Sequence, residues 1–324
     1  MTGTGRGRRK PSARSDDSML SELYTAIARA RAVEDALAIY IRDHGFAGFW
    51  HPGKGQEAAA VGACAALRRD DYLFYQGRGV NWPLAKGMGL VPILGDLLGK
   101  TNGSTGGKGA GVPHWADPAL GIMGEGATLG SVYHIAAGAA LSAQMRGTDQ
   151  VALADFGDGT AARGTFHETL LQAAVWRLPL IYFCENNGIS VTTGFDEVSP
   201  TKSIAERAGA YGIPGEVVDG HDALAVHEAV AKAVSRARAG EGPSLIEAKV
   251  TRVGGHWEGD AQQYRSADYL ADYRDPVEVM ADRIDRALAD RILADARDEV
   301  AAALAEVEAA PYPDPSLILK DVFA

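Results

Sequence analysis

The stretch VALADFGDGTAARGTFHETLLQAAVWRLPLIYFCENNGIS, residues 151–190, decides the fold. It begins with a short apolar run at 151–156, continues with a helical pattern over 164–177, and ends in a second apolar run at 179–185. Two buried strands joined by a helix form a βαβ unit, and such a unit implies a parallel sheet. The stretch therefore predicts an α/β fold.

Outside this unit, hydrophobic spacing predicts further elements of the same class. These are helices over 19–43, 55–69 and 222–239, strands at 215–220 and 244–250, and a long helical pattern over 276–309. The Gly-rich segment 99–130 is too rich in glycine for a regular helix, and it suggests loops whose backbone lies close to a ligand. We expect one domain over 19–324 with appended N- and C-terminal helices, and a disordered basic tail over 1–18.

The turn between the two strands admits two ligands. Gly157, Gly159 and Ala162 have the spacing of a dinucleotide-binding turn, in which Glu185 would contact the ribose hydroxyls. Asp158 argues against that interpretation, because two like charges about 4 Å apart repel by roughly 4 kcal/mol at an effective dielectric constant near 20. A divalent cation between carboxylate and diphosphate would reverse the sign of the interaction.

Asn186 and Asn187 follow the second strand directly. Because the carboxyl ends of parallel strands meet at the edge where such sheets bind ligands, we expect these amides to lie near Asp158. Oxygen ligands combined with phosphate oxygens suit Mg²⁺. The stretch therefore favours a metal-held diphosphate over a dinucleotide.

Composition narrows the function classes. With 46% hydrophobic and 23% charged residues, the chain is of ordinary globular type, and its net charge of −10 argues against nucleic-acid binding and a basic membrane-binding face. No apolar run is long enough to span a membrane. Cys64 and Cys184 have neither zinc-site nor redox-pair spacing, so we expect buried free thiols in a reducing cytoplasm.

The motif Gly157-Asp158-Gly159, followed after 26 residues by Asn186-Asn187, resembles the thiamine diphosphate motif. From about residue 20 to 270 the chain resembles the alpha subunit of the 2-oxo acid dehydrogenase decarboxylase component, shared by pyruvate, branched-chain and acetoin dehydrogenases. The stretches that carry the resemblance include GFWHPGKGQEAAAVG, GGKGAGVPHW, GIMGEGATLG and TRVGGHWEGDAQQYR, the last closest to the acetoin branch. The resemblance implies a thiamine diphosphate-binding fold with a parallel sheet flanked by helices.

The resemblance also implies roles for particular residues. It places Mg²⁺ on Asp158, Asn187 and the carbonyl of Ile189, and the active-site histidines at His51 and His256. It assigns cofactor contacts to Tyr75, Gln76, Arg78, Ala127, Leu129, Asp158, Gly159, Thr160, Asn187 and His256. The role of Glu125 stays open, because the family's cofactor-activating glutamate comes from the partner subunit. The roles of His114 and His134 also stay open.

The stretch YQGRG, 75–79, departs from the family's usual Tyr-Arg-x-His-Gly. Gln76 stands where an arginine would hold the diphosphate, and Arg78 stands where a histidine lines the pocket. Arg78 either replaces the missing diphosphate contact or faces the substrate and recognises an anionic group, for instance a phosphate.

The implied function is cleavage of a carbon–carbon bond in a 2-oxo acid or an acetoin-type substrate, with acyl transfer to a lipoyl-bearing carrier. A beta subunit with the pyrimidine-binding half, in an α2β2 assembly, is the implied partner. Two alternatives remain: a transketolase-like enzyme that transfers a two-carbon unit from a ketose phosphate to a carrier-bound lipoyl group, and an NAD-binding dehydrogenase or non-catalytic scaffold subunit.

Overall fold

A computed structural model describes residues 16–45, 48–109 and 114–320. The predicted tail lies outside the described residues over 1–15, and residues 16–18 already belong to the first helix. The prediction is thus wrong for residues 16–18, which are helical, and for residues 1–15 it stays a prediction. The described chain is an α/β structure with a parallel sheet between layers of helices, as predicted.

The strands in chain order are β1 (Tyr72–Tyr75), β2 (Ile122–Glu125), β3 (Ala152–Gly157), β4 (Leu180–Asn186), β5 (Ile189–Ser190), β6 (Thr193–Gly194), β7 (Gly215–Asp219) and β8 (Ser244–Lys249). The α-helices are α1 (Asp16–His44), α2 (Glu57–Ala65), α3 (Asn81–Ala85), α4 (Leu90–Leu97), α5 (Ser131–Arg146), α6 (Gly164–Trp176), α7 (Phe195–Val198), α8 (Ala223–Arg238), α9 (Pro276–Ala281) and α10 (Arg286–Ala309). Six strands form the main sheet in the order β2-β1-β3-β4-β8-β7, with all neighbours parallel, and β5 and β6 form a small antiparallel hairpin.

Both faces of the sheet are buried, which is usual for a parallel sheet covered by helices. Alternate side chains such as Leu153 and Phe183 contribute to a core shared with α1, α2 and α8. Side chains on the opposite face of the sheet, such as Phe156 and Tyr182, contribute to a second core shared with α5 and α6. The central strands are therefore nearly continuous apolar runs, which is why the sequence reveals them.

The strands β3 and β4 pair in register from Ala152 opposite Leu180 to Gly157 opposite Glu185. Both strands therefore end at the same level of the sheet, and the chain leaves them at neighbouring points of one edge. This register brings together the two turns on which the functional prediction rests.

Several element predictions are confirmed with small shifts, including β3, α6, β4, β7, α8 and β8. Two helix predictions were too long: the helix expected over 55–69 spans only Glu57–Ala65, and the pattern over 276–309 is divided into α9 and α10. The break between α9 and α10 occurs where the carboxylate of Asp285 caps α10 by accepting a hydrogen bond from the Leu288 amide.

The elements that the sequence did not reveal have weak local signals. The strands β1 and β2 have only four residues each, and β2 lies in the Gly-rich segment. The helix α5 is rich in alanine and contains Gly138, so its apolar stripe is faint. Cys64 and Cys184 are buried and unpaired, as predicted. Among the described residues, no helix has both the length and the apolarity that a membrane span requires.

A buried ion-pair network ties the appended helices to the domain. Arg31 of α1 donates from Nε to Glu57 Oε1 at 2.6 Å and from its two terminal nitrogens to Asp275, the residue that caps α9, at 2.9 Å. The Glu57 side chain is fully buried and also accepts a hydrogen bond from the Gly55 amide at 2.8 Å. The network thus links the segment that follows His51 to α1 and to the start of α9.

We predict that Arg31→Met lowers the free energy of unfolding by about 3–5 kcal/mol, because it leaves the Glu57 carboxylate buried without its partner. Urea unfolding monitored by circular dichroism measures this. Arg29→Met is the matched control: Arg29 pairs with Glu299 at the surface, with side chains 30% and 48% exposed, so we expect a loss of about 0–1 kcal/mol. Equal losses in the two variants would contradict the interpretation.

Candidate active site

A cleft of about 270 Å³ opens at the carboxyl edge of the sheet, beside the ends of β1, β2, β3 and β4. Loops from distant parts of the sequence meet there. The residues that line it are His51, Gln76, Gly77, Arg78, Glu125, Gly126, Ala127, Leu129, Gly157, Asp158, Gly159, Thr160, Asn187, Ile189, Ser190, Val191, Arg252 and His256. The cleft therefore contains the residues to which the resemblance assigns a role in catalysis, cofactor binding or metal binding, with the exception of Tyr75.

Asp158 lies at one end of the cleft, in the turn that follows β3. It is buried, and its Oδ2 has no hydrogen-bond partner within the described residues. Burial raises the pKa of its carboxyl group to about 6. A buried carboxylate oxygen without a donor is unfavourable unless a cation or another ligand meets it.

Asn187 is held in place from the other side. Its Nδ2 donates to Gln56 Oε1 at 3.0 Å, and its Oδ1 accepts the Ile189 amide at 3.3 Å. Gly188 reverses the chain between them with φ of +77°, a conformation that favours glycine. Asn187 and Ile189 line the cleft together with Asp158.

The two asparagines of the motif have different tasks. Asn186 donates from Nδ2 to the buried Glu247 Oε1 at 2.6 Å and accepts the Gly188 amide at 2.9 Å. Its polar atoms are thereby used within the protein. Only Asn187 lines the cleft, which is consistent with the choice of Asn187 alone as a candidate metal ligand.

Gly159 lets the two turns approach closely. A Cβ atom at this position would lie 2.1 Å from Ser190 Oγ and 2.8 Å from Ser190 Cβ. The backbone of the turn containing Gly159 and the buried Thr160 thus lies directly against the β5 hairpin. Backbone amides exposed in such a turn suit an anionic ligand.

The histidines occupy the other end of the cleft. His51 Nδ1 lies 2.6 Å from the carbonyl oxygen of His256, and the two ring centroids are 4.6 Å apart. Burial lowers the pKa of His51, and burial together with the His51 ring lowers the pKa of His256 to about 4. His256 Nδ1 is buried and has no partner within the described residues. That nitrogen is therefore unpaired within the described part of the chain.

Gln76 organises the loop that resembles the pyrimidine-binding segment. Its Nε2 donates to the carbonyls of Gly126 and Thr128 at 2.6 and 2.9 Å, and its Oε1 accepts the Gly130 amide at 3.4 Å. These bonds shape the loop that carries the cleft residues Ala127 and Leu129. In this chain the amide of Gln76 is thus engaged with backbone groups of its own protein.

Arg78 connects the loops of the two histidines. It donates from Nε to Pro52 O at 3.0 Å and from Nη2 to the carbonyls of Gly255 and His256 at 2.9 and 2.6 Å. Its guanidinium group lines the histidine end of the cleft. Burial, together with repulsion from Arg252, lowers the pKa of Arg78 to about 9.

Four further residues named in the sequence analysis lie in different surroundings. Tyr75 is fully buried beneath the cleft, and its hydroxyl donates to Trp115 O at 3.4 Å. Glu125 lines the cleft, and burial raises the pKa of its carboxyl group well above the usual range. His114 is exposed and does not line the cleft, and His134 lies exposed on α5, 3.7 Å from Glu168.

Sequence reasoning did not single out Arg252, Gln56 or Ser190. Arg252 is only 1% exposed and donates from Nη2 to Val191 O and to the Tyr264 hydroxyl, both at 2.9 Å. Gln56 and Arg252 both lie within the motif segments quoted above, close in sequence to His51 and His256, and that proximity was the signal by which they could have been found. The contacts that place them in the site, with Asn187 and Val191, join segments that are distant in the sequence.

The position of Glu185 bears on the dinucleotide alternative. This side chain is buried, accepts the Trp82 indole N–H at 3.2 Å and does not line the cleft. It is therefore not placed to contact the ribose of a nucleotide in the cleft. The geometry of the turn consequently favours the metal-held diphosphate.

Comparisons with known proteins agree with this geometry. The family model of the dehydrogenase E1 component matches residues 25–316. The chain is 40% identical to the alpha subunit of acetoin:2,6-dichlorophenolindophenol oxidoreductase from Cupriavidus necator, over 95% of each chain. It is 34% identical to the pyruvate dehydrogenase E1 alpha subunit of Rhizobium meliloti, over 85% of this chain and 81% of the relative. The 2-oxoisovalerate dehydrogenase alpha subunit of Bacillus subtilis is 31% identical over 95% and 96%. The chain therefore belongs to the dehydrogenase E1 component family, which confirms the resemblance to its alpha subunits.

Proposed function

We propose that this chain is the alpha subunit of a heteromeric dehydrogenase component that uses thiamine diphosphate and Mg²⁺ to cleave a carbon–carbon bond next to a carbonyl. The acyl unit passes to a lipoyl-type acceptor on a carrier domain or protein. The observation that carries the proposal is the single cleft that has Asp158, Asn187 and the Ile189 backbone at one end and two neutral histidines at the other.

The residues at the first end fit a magnesium diphosphate group. Asp158 Oδ2 is a buried oxygen with no donor among the described residues, and Asn187 and Ile189 supply further oxygens of the hard type that Mg²⁺ prefers. Gly159 and Thr160 present backbone beside them. When bound, thiamine diphosphate supplies a nucleophilic carbon and an electron sink for the cleavage.

The histidines suit proton and hydrogen-bond chemistry at the substrate. Because the partner of His51 Nδ1 is a carbonyl, Nδ1 carries the proton and Nε2 of the neutral ring has a free lone pair. Both rings are neutral near pH 7, because their pKa values are lowered. They can therefore accept a proton from a substrate hydroxyl, or orient a substrate oxygen, without placing a fixed positive charge there.

A partner subunit completes the proposed enzyme. Relatives of this chain are named as alpha subunits, which implies a beta subunit. The side chain of Leu129 at the cleft is 50% exposed and that of nearby Met123 is 40% exposed, so apolar groups lie open at the rim. We propose that the beta subunit, in an α2β2 assembly, covers this rim. A reducing, cytoplasmic location is part of the proposal and is supported by the two unpaired thiols.

A second candidate is a transketolase-like transfer of a two-carbon unit from a ketose phosphate to a carrier-bound lipoyl group. The observation that favours it is the guanidinium group of Arg78 in the cleft. Turnover with xylulose 5-phosphate, compared with pyruvate and acetoin, distinguishes the two candidates.

We predict that Asp158→Ala abolishes Mg²⁺-dependent binding of thiamine diphosphate, because the metal loses its charged ligand. Isothermal titration calorimetry with and without Mg²⁺ measures this, and NAD serves as the comparison ligand. Asp196→Ala, which removes an exposed carboxylate at the start of α7, is the control and should bind as the wild type does. Undiminished cofactor binding by Asp158→Ala would refute the proposed metal site.

A second prediction concerns the pH dependence of stability. His256 has a pKa of about 4 in the folded chain and about 6.5 when unfolded. The folded state therefore disfavours the protonated ring. Its contribution to stability is fully present above pH 6.5 and is lost as the pH falls from about 6.5 to about 4.

The midpoint of thermal unfolding should accordingly fall more steeply over this range in the wild type than in His256→Gln. His44→Gln, at the exposed end of α1, is the control and should follow the wild type. Parallel curves for the wild type and His256→Gln would show that burial does not disfavour the charged ring.

The third prediction concerns assembly. We expect the isolated, cofactor-loaded chain to show no turnover, and activity to appear when a beta subunit from the same family is added. Steady-state assays with pyruvate and acetoin, with and without that subunit, measure this. Full turnover by the isolated chain would contradict the need for a partner.

A further inference from the structure

Two arginine side chains line the cleft without a carboxylate partner. Arg78 and Arg252 donate only to backbone carbonyls and a tyrosine hydroxyl among the described residues. The buried Arg31 offers a contrast, because its guanidinium group is neutralised by Glu57 and Asp275. A guanidinium group taken from water without an anion is costly, so this pair requires an explanation.

The contacts leave donor groups unused on both side chains. Arg78 uses Nε and Nη2 for three carbonyls, and its Nη1 has no partner within the described residues. Arg252 is 1% exposed, uses Nη2 for Val191 O and the Tyr264 hydroxyl, and has a buried Nε without a partner. Backbone carbonyls thus fix both groups while leaving N–H groups available to a ligand in the cleft.

The acidic groups near Arg78 do not neutralise it. The carboxyl groups whose charges act on Arg78 include those of Glu34 and Glu185, and burial raises the pKa of both, which favours the neutral acids. Glu125 lines the cleft, and burial likewise raises the pKa of its carboxyl group.

The acidic groups near Arg252 form no ion pair with it among the described residues. Asp260 accepts hydrogen bonds from the Tyr264 hydroxyl at 2.5 Å and the His256 amide at 2.7 Å, and that hydroxyl also accepts a hydrogen bond from Arg252. The charge of Arg252 also acts on the buried Asp158, the proposed metal ligand.

We propose that Arg78 and Arg252 form an anion subsite that recognises a phosphate or carboxylate group which the carbonyl substrate keeps throughout the reaction. The inference rests on the proposed function and specifies its substrate class. Arginine presents several N–H donors in a plane and suits both kinds of anion.

The recognised group is one that survives the cleavage. A carboxylate that leaves as carbon dioxide loses its charge on the way to the transition state. Two guanidinium groups on that carboxylate would stabilise the ground state more than the transition state, and would slow the reaction. A phosphate ester or a second carboxylate, remote from the bond that breaks, has no such disadvantage.

The diphosphate of the cofactor is the competing anion. Asp158, Asn187 and the backbone at Gly159 lie at the metal end, whereas Arg78 is bonded to the loops of both histidines. The geometry therefore favours the substrate as the ligand of Arg78. Affinity for thiamine diphosphate distinguishes the two assignments experimentally.

The test uses the complex with its beta subunit, loaded with thiamine diphosphate and Mg²⁺, and substrates matched apart from the remote charge. The pairs are xylulose 5-phosphate with xylulose and 2-oxoglutarate with 2-oxopentanoate, and acetoin is a neutral reference. We expect the wild type to favour the charged member of at least one pair by about tenfold or more in kcat/KM. The pair that responds identifies the anion as phosphate or carboxylate.

In Arg78→Gln and Arg252→Gln this ratio should fall about ten- to hundredfold, while the neutral member changes far less. Arg78→Lys and Arg252→Lys keep the charge and should retain part of the preference. Arg265→Gln is the matched control, because Arg265 donates to the carbonyls of Arg252 and Val253 and holds the same loop from outside the cleft. It should change both members of a pair alike.

A second readout needs no turnover. Calorimetry should detect inorganic phosphate binding to the wild-type complex and to Arg265→Gln, but not to either glutamine variant. A wild-type preference for the neutral substrates, or glutamine variants that lose thiamine diphosphate affinity while keeping the substrate ratio, would overturn the proposal. Failure of the wild type to bind thiamine diphosphate would instead refute the proposed function, and phosphate binding would still test the subsite.

Discussion

The parallel pairing of β3 with β4 is the constraint on which the site depends. Since Gly157 lies opposite Glu185, the two strands end at the same level and the chain leaves both at one edge of the sheet. Asp158 and Asn187 follow within two residues of these ends, so register alone makes them neighbours. Packing on both sheet faces fixes this register, because a shift of one residue would move each side chain to the opposite face and disrupt both cores.

Around this edge, side chains position the backbone of long loops. Gln56 orients Asn187, Gln76 binds three backbone groups of the loop 126–130, and Arg78 binds carbonyls from two segments. Buried backbone groups outside helices and strands need such partners. Residues 76 and 78, at which the chain departs from its relatives' usual motif, therefore shape the cleft as well as set its charge.

The charges of the cleft are unevenly distributed. Asp158 lies beside Asn187, the guanidinium group of Arg78 lies beside two histidines of lowered pKa, and the charge of Arg252 acts on both Asp158 and His256. In the function proposed above, this arrangement would let a metal-bound diphosphate and the anionic part of a substrate occupy different parts of one cleft. Burial, with a further contribution from the positive charges of Arg78 and Arg252, disfavours protonation of the histidine rings.

The sequence by itself determined the βαβ unit, the parallel sheet and the approach of Asp158 to Asn187, because these follow from local apolar periodicity and from strand ends that share one edge. Only the folded chain shows that Tyr75 is fully buried and does not line the cleft, that the Asn186 side chain is hydrogen-bonded to Glu247, and that Arg252 lines the cleft. Tertiary structure also decided the break between α9 and α10 and the faint strands β1 and β2. The direction of these side chains depends on contacts with segments 40 to 61 residues away in the sequence, and neither spacing nor residue type contains that information.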